Sequence, residues 1–124
     1  MELYLRNRDE MYIVNLENLI YFKADDHYTH VYYITETQIL LPFSLSKIES
    51  QLSCVPYIIR AGRRYLINTK SIYRVNCVKQ EIMFFNRNGE IRTIKLSKEA
   101  VKNVMGCLWK GAVNGISSEE DDSV

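Results

Sequence analysis

The sequence predicts a mainly β domain of roughly seven to ten short strands with two short helices. Three observations carry this. Short runs rich in β-branched and aromatic residues recur along the chain, each bounded by a turn cluster. Asn88-Gly89, a strong hairpin signal, lies between two such runs. Apolar residues repeat at helical spacing in only two places.

In chain order, Met11-Tyr12-Ile13-Val14 is the first candidate strand and Leu19-Ile20-Tyr21-Phe22-Lys23-Ala24 the second. Asp25-Asp26-His27 reads as a turn. His30-Val31-Tyr32-Tyr33-Ile34-Thr35 and Gln38-Ile39-Leu40-Leu41 follow as strands. Leu45, Ile48 and Leu52 then repeat at helical spacing, and Ser46 with Glu49 fits a capping box. Strands resume at Tyr57-Ile58-Ile59, at Tyr65-Leu66-Ile67 and over residues 72–78. Ile82-Met83-Phe84-Phe85 and Ile91-Arg92-Thr93-Ile94 flank the Asn88-Gly89 turn. Ser97 is a natural N-cap for a last helix that presents Val101, Val104, Met105 and Leu108 on one side.

The length of 124 residues fits one domain. We read residues 1–11 as a lead-in, 12–110 as the folded domain and 111–124 as an acidic, disordered tail with little to bury. No apolar run approaches the ~20 residues of a membrane span, and charges interrupt the N-terminus where a signal peptide would be apolar. Cys54, Cys77 and Cys107 are odd in number and widely spaced, which points to free thiols in a reducing, cytoplasmic setting.

The formal net charge of +1 hides an asymmetry. Glu119, Glu120, Asp121 and Asp122 sit in the tail, so residues 1–116 carry 16 basic and 11 acidic groups. Residues 60–102 alone carry 11 basic and 3 acidic groups. Such a concentration marks a surface for a polyanion. Its sharpest point is Arg60-Ala61-Gly62-Arg63-Arg64, a basic turn mounted just before an apolar strand. Guanidinium forks suit phosphate and the N7/O6 edge of guanine. Gly62 allows the backbone a close approach. Ser97-Lys98 opens a helix whose N-terminus suits phosphate, with Lys95 and Lys102 nearby.

Enzymatic chemistry finds no support. The sequence has no glycine-rich phosphate loop, no nucleophile elbow and no paired carboxylates on a plausible scaffold. Both histidines fall in Asp25-Asp26-His27-Tyr28-Thr29-His30. A metal would need three or four converging ligands, and no third ligand has matching spacing, so this segment reads as a polar hairpin tip. No cofactor, metal or small-molecule substrate is expected.

Several segments, in order, resemble the LytTR DNA-binding domain of bacterial response regulators. Residues 19–31 are similar to its "I-x-Y-hydrophobic-x-A … Y-x-x-hydrophobic" opening, and residues 45–52 to its "sLxxlexxL" helix. Residues 59–68 resemble its "F-x-R-x-H-R-S-Y-hydrophobic-V/I-N" signature. Asn88-Gly89 and Leu96-Ser97-Lys98 resemble its closing segments. The resemblance implies an elongated arrangement of short antiparallel sheets with a helix on each side. It also implies loops that enter successive major grooves of bent double-stranded DNA, in a cytoplasmic transcriptional regulator of two-component type. By resemblance, the base-reading loops carry over to Thr29-His30, to Gly62-Arg63-Arg64 and to Ser97-Lys98-Glu99; His27, Arg60, Lys95 and Lys102 beside them complete the expected DNA contacts. A homodimer on direct-repeat sites is one arrangement the resemblance allows.

Two departures stand out. Gly62 occupies the place of the family's usual histidine, and Arg64 that of its serine. Either Arg64 takes over the base contact or the site reads another sequence. Glu99 stands where many members carry a second basic residue. Only about ten residues precede the match, so a stand-alone regulator or an excised domain is expected, without a receiver. The competing classes are a protein-interaction β domain that has lost DNA binding, and an RNA-binding β domain that would stack bases on exposed rings.

Overall fold

A computed structural model of the protein describes residues 1–111; the acidic tail expected over 111–124 lies outside them from residue 112 onward. Among the described residues, ten strands form three antiparallel sheets, accompanied by two α-helices. A hairpin is made by β1 (Glu2–Asn7) and β2 (Glu10–Asn15). The central sheet uses β3 (Leu19–Asp25), β4 (Tyr28–Tyr33), β5 (Gln38–Leu41), β6 (Ile58–Ala61) and β7 (Tyr65–Asn68). Its strand order is β5-β4-β3-β7-β6, which puts β3 in the middle. The third sheet has β8 (Ile72–Asn76), β9 (Glu81–Phe85) and β10 (Ile91–Lys95), with β9 central. Helix α1 (Leu45–Gln51) follows β5, and α2 (Lys98–Lys110) follows β10. None of the described helices is long and apolar enough to cross a membrane.

The central sheet is covered on both faces. On one, Leu19, Phe22, Val31, Leu41, Ile58 and Leu66 pack against α1 and the β1–β2 hairpin. On the other, Ile20, Tyr21, Ala61 and Ile67 pack against Ile82, Phe84 and Ile94 of the third sheet and Val104 of α2. The alternation of β strands sorts neighbouring residues to opposite faces. A register shift between Leu19 and Tyr21 breaks the alternation once and gives both Ile20 and Tyr21 to the second core. Burial pushes the Tyr21 phenol pKa up, against a hydrogen bond donated by Arg92 at 3.5 Å.

Two elements differ from the sequence reading. Residues 1–11, where the sequence reading placed no strand before Met11, hold β1 and the start of β2, with Leu3 and Leu5 buried. The period-two pattern is present, but exposed Tyr4 between Leu3 and Leu5 turns the alternation into an apolar run of three between charges. Helix α1 is capped by Ser44, whose Oγ accepts from Lys47 N at 3.3 Å, and not by Ser46. Burial of Leu45 and Ile48 draws the helix start forward, and Glu49 is engaged elsewhere. Ser97 caps α2 as expected, its Oγ accepting from Ala100 N at 3.2 Å. Val101 and Val104 of α2 are buried, while Met105 is largely exposed.

Asn68, at the end of β7, is a buried polar joint. Its Nδ2 donates to Leu19 O at 2.9 Å and Leu16 O at 3.4 Å, and its Oδ1 accepts from Lys70 N at 3.0 Å. These bonds tie the start of β3 to the end of β7. Asn68→Ala removes all three bonds: Leu19 O keeps the Ser71 hydroxyl and Leu16 O keeps the Leu19 N–H, but Lys70 N loses its acceptor, and the change is expected to lower unfolding free energy by ~1–3 kcal/mol. Urea denaturation checks this, and an unchanged midpoint would show that water replaces the amide at no cost.

Candidate nucleic-acid interface

Three segments far apart in sequence meet at one end of the central sheet. The first is the β6–β7 turn, Gly62-Arg63-Arg64. Gly62 has φ +66°, a left-handed conformation that suits glycine. The pairing of Lys23 with Tyr65 and a 2.7 Å bond from Ala24 N to Arg64 O bring this turn beside the end of β3. There β3 turns into β4 through Asp26, at φ +57°, and His27. The third segment is the start of α2. A β-carbon at position 62 would lie 3.8 Å from Ala100 Cβ and 3.9 Å from Leu96 Cδ2, so the turn rests on the first turn of the helix.

Between these segments lies an open groove of about 520 Å³, lined by Gly62, Arg63, Arg64 and Tyr65 on one side and by Lys95, Leu96 and Ser97 on the other. A neighbouring depression of about 350 Å³ runs from Arg60 and Gly62 to Ser97, Glu99 and Asn103. Arg63, Arg64, Lys95, Lys98 and Lys102 are all exposed around this region. Lys98 and Lys102 are four residues apart and share a helix face. Lys95 approaches Glu81 only at 4.0 Å and stays 76% exposed, so it remains free for another anion.

Three residues read from sequence as DNA contacts are placed differently. Thr29 is fully buried, and its hydroxyl donates to Phe43 O at 2.8 Å, so its side chain faces the core. The β-strand period puts it on the inner face, opposite to His30. The His30 ring is partly covered and held between Asp25 Oδ2 at 2.9 Å and Gln38 Nε2 at 3.2 Å. That leaves His27, 89% exposed on the turn, as the open histidine of the pair. Arg60 does not offer a free guanidinium. Its Nη1 donates to Glu49 Oε1 at 2.6 Å, its Nη2 to Arg63 O at 2.6 Å and its Nε to Gly62 O at 3.2 Å. Glu49 and Tyr65 belong to the site and were not singled out from sequence. Glu49 is 11 residues from Arg60 on a separate helix, so no local pattern links them.

The fold and the basic groove define a β-sheet DNA-binding domain. The chain belongs to the LytTR family: the model described as the LytTr DNA-binding domain matches residues 9–109. Among solved structures, the fold is similar to a Bacillus cereus domain described as the LytTr DNA-binding domain of a methyl-accepting/DNA response regulator. The two share 21% identity, with a TM-score of 0.61 over 86% of this chain and 95% of that one. No curated protein is similar enough to the chain to match.

The substitution Gly62→Ala meets adequate space but backbone angles that a β-carbon disfavours. It is expected to destabilise the fold by ~1–2 kcal/mol. Asn at the same position tolerates the left-handed region and is expected to be milder. Thermal unfolding of the two variants tests the order, and equal melting temperatures would show that the turn relaxes out of this conformation.

Proposed function

We propose that the protein recognises specific double-stranded DNA sites and regulates transcription, with the Gly62–Arg64 turn entering a major groove. The observation that carries this reading is the joining of Arg63, Arg64 and Lys95 around one open groove that reaches Ser97, the N-cap of α2. In this reading Arg63 and Arg64 read base edges, since a guanidinium spans O6 and N7 of guanine with two parallel hydrogen bonds. Lys98 and the N-terminus of α2 take a backbone phosphate. Arg64 stands beside Gly62 and supplies the donor that a glycine lacks. The β3–β4 turn, with His27 outermost, gives a second contact on the same end of the sheet. Reaching a second major groove from this end requires a bend, at an expense of ~1–6 kcal/mol for a short site. Because all these groups sit at one end, each copy reads one short segment, and direct repeats read by two copies extend the site.

A single-stranded RNA reading would need exposed rings beside the basic groups. Tyr28, beside His27, is an exposed ring at the basic end, a single platform where RNA readers stack two or three bases; Tyr73 and Phe85 are exposed too, but their rings pack on each other at 4.3 Å, and Phe85 pairs with Ile91 at the opposite end of β9 and β10 from Lys95.

Selection from random duplex DNA supplies the test site. On it, Arg63→Ala is expected to weaken binding by ~1–3 kcal/mol and to relax preference at one position. Lys98→Ala is expected to weaken all duplexes alike and to lower the salt slope by about one unit. Sequence-specific reading is refuted if Arg63→Ala leaves preference intact, or if RNA of the same sequence competes equally.

Bending has its own readout. Gel mobility of the complex is expected to vary with the position of the site in circularly permuted fragments. Constant mobility would mean straight DNA and contact with one groove through the Arg63-Arg64 turn alone.

A further inference from the structure

We propose that Arg60, anchored by Glu49, is a positioning residue that fixes the Gly62–Arg64 turn and thereby sets how sharply the domain discriminates between DNA sequences. The inference rests on the DNA-reading role of that turn. Arg60 lies on β6, two residues before the turn, with its side chain on the α1 side of the sheet. Its planar fork is filled by three partners at once: Glu49 Oε1, Arg63 O and Gly62 O. The last two are consecutive carbonyls of the turn. A guanidinium holds them at a fixed separation, because its donors are rigidly arranged in one plane. Glu49 holds the guanidinium in place from α1 and neutralises it.

On the far side, Gly62 faces Ala100 and Leu96, which a β-carbon at position 62 would only just reach. The polar contact anchored on α1 is therefore what holds the turn, with the start of α2 flanking it. Arg63 and Arg64 project from this held backbone into solvent. A side chain with several rotatable bonds reads bases sharply only when its root is fixed, since a loose root spreads the fork over many bases. Arg60 thus acts through the turn and not on the DNA.

The substitutions Arg60→Lys and Glu49→Ala separate this role from a plain phosphate contact. Lysine keeps the positive charge but loses the fork. Alanine at 49 removes a negative charge near the groove while preserving helix propensity. Two measurements are made on the full chain: ¹⁵N relaxation of the Gly62, Arg63 and Arg64 amides without DNA, and affinity for the selected duplex against a scrambled one across a salt series. In both variants the amide order parameters are expected to fall from roughly 0.85 to below about 0.6. Discrimination is expected to fall about tenfold, with the salt slope of Arg60→Lys unchanged.

A phosphate-contact role gives the opposite pattern: Arg60→Lys keeps discrimination, and Glu49→Ala tightens binding to every duplex. That result, or an unchanged order parameter in both variants, overturns the proposal. Circular dichroism shows whether each variant folds, and should Arg60→Lys unfold, Glu49→Ala decides alone. If the unmodified protein prefers no duplex, the DNA reading fails and takes the claim on discrimination with it, while the order parameters still decide whether Arg60 fixes the turn.

Discussion

The structure depends on one strand being buried on both faces. β3 contributes Leu19 and Phe22 to one core and Ile20 and Tyr21 to the other. A strand with two apolar faces in the middle of a sheet demands a covering layer on each side. The hairpin with α1 meets one demand, and the third sheet with α2 meets the other. β3 is also tied to β7 at both ends, through the Asn68 amide at Leu19 O and through Ala24 N at Arg64 O. The second of these bonds belongs equally to the core and to the basic turn. The position of the turn is thus a direct product of how β3 is held.

The same layering explains why charge collects where it does. The turns at the Arg63 end of the sheet leave the core and need not be apolar. α2 starts at that end because β10 delivers the chain there, so Lys95, Leu96 and Ser97 arrive beside a turn more than 30 residues earlier in the chain. Each arginine of the signature has its own part. Arg63 and Arg64 face outward, whereas Arg60 turns back to Glu49.

Nearly every β element was legible in the sequence, because strand periodicity and turn residues are local signals. The exception was β1, where the buried pair Leu3 and Leu5 is interleaved with Glu2, Tyr4 and Arg6 on an exposed face. The basic turn and the Ser97 cap were legible as well, one by charge and the other by capping chemistry. Side-chain direction was less so. Thr29 and His30 are adjacent and both polar, and nothing local says which one faces inward until Thr29 finds the Phe43 carbonyl. Arg60 looked like one more exposed cation of its cluster, because its partner Glu49 comes from a different element. Long-range pairing of polar groups is where sequence reasoning stopped.

The sharing of β3 between two cores bears on how the molecule comes apart. Removing either covering layer would bare an apolar face of the central strand, so neither layer is stable without the sheet and the sheet is not stable without both. The fold is therefore expected to melt as one cooperative unit and not as two successive layers. Backbone amides of β3 exchange with solvent only when the whole molecule opens, so their protection reports global stability. The Ala24 amide shares that protection through its bond to Arg64 O, a bond to which the basic turn contributes a carbonyl and no amide of its own.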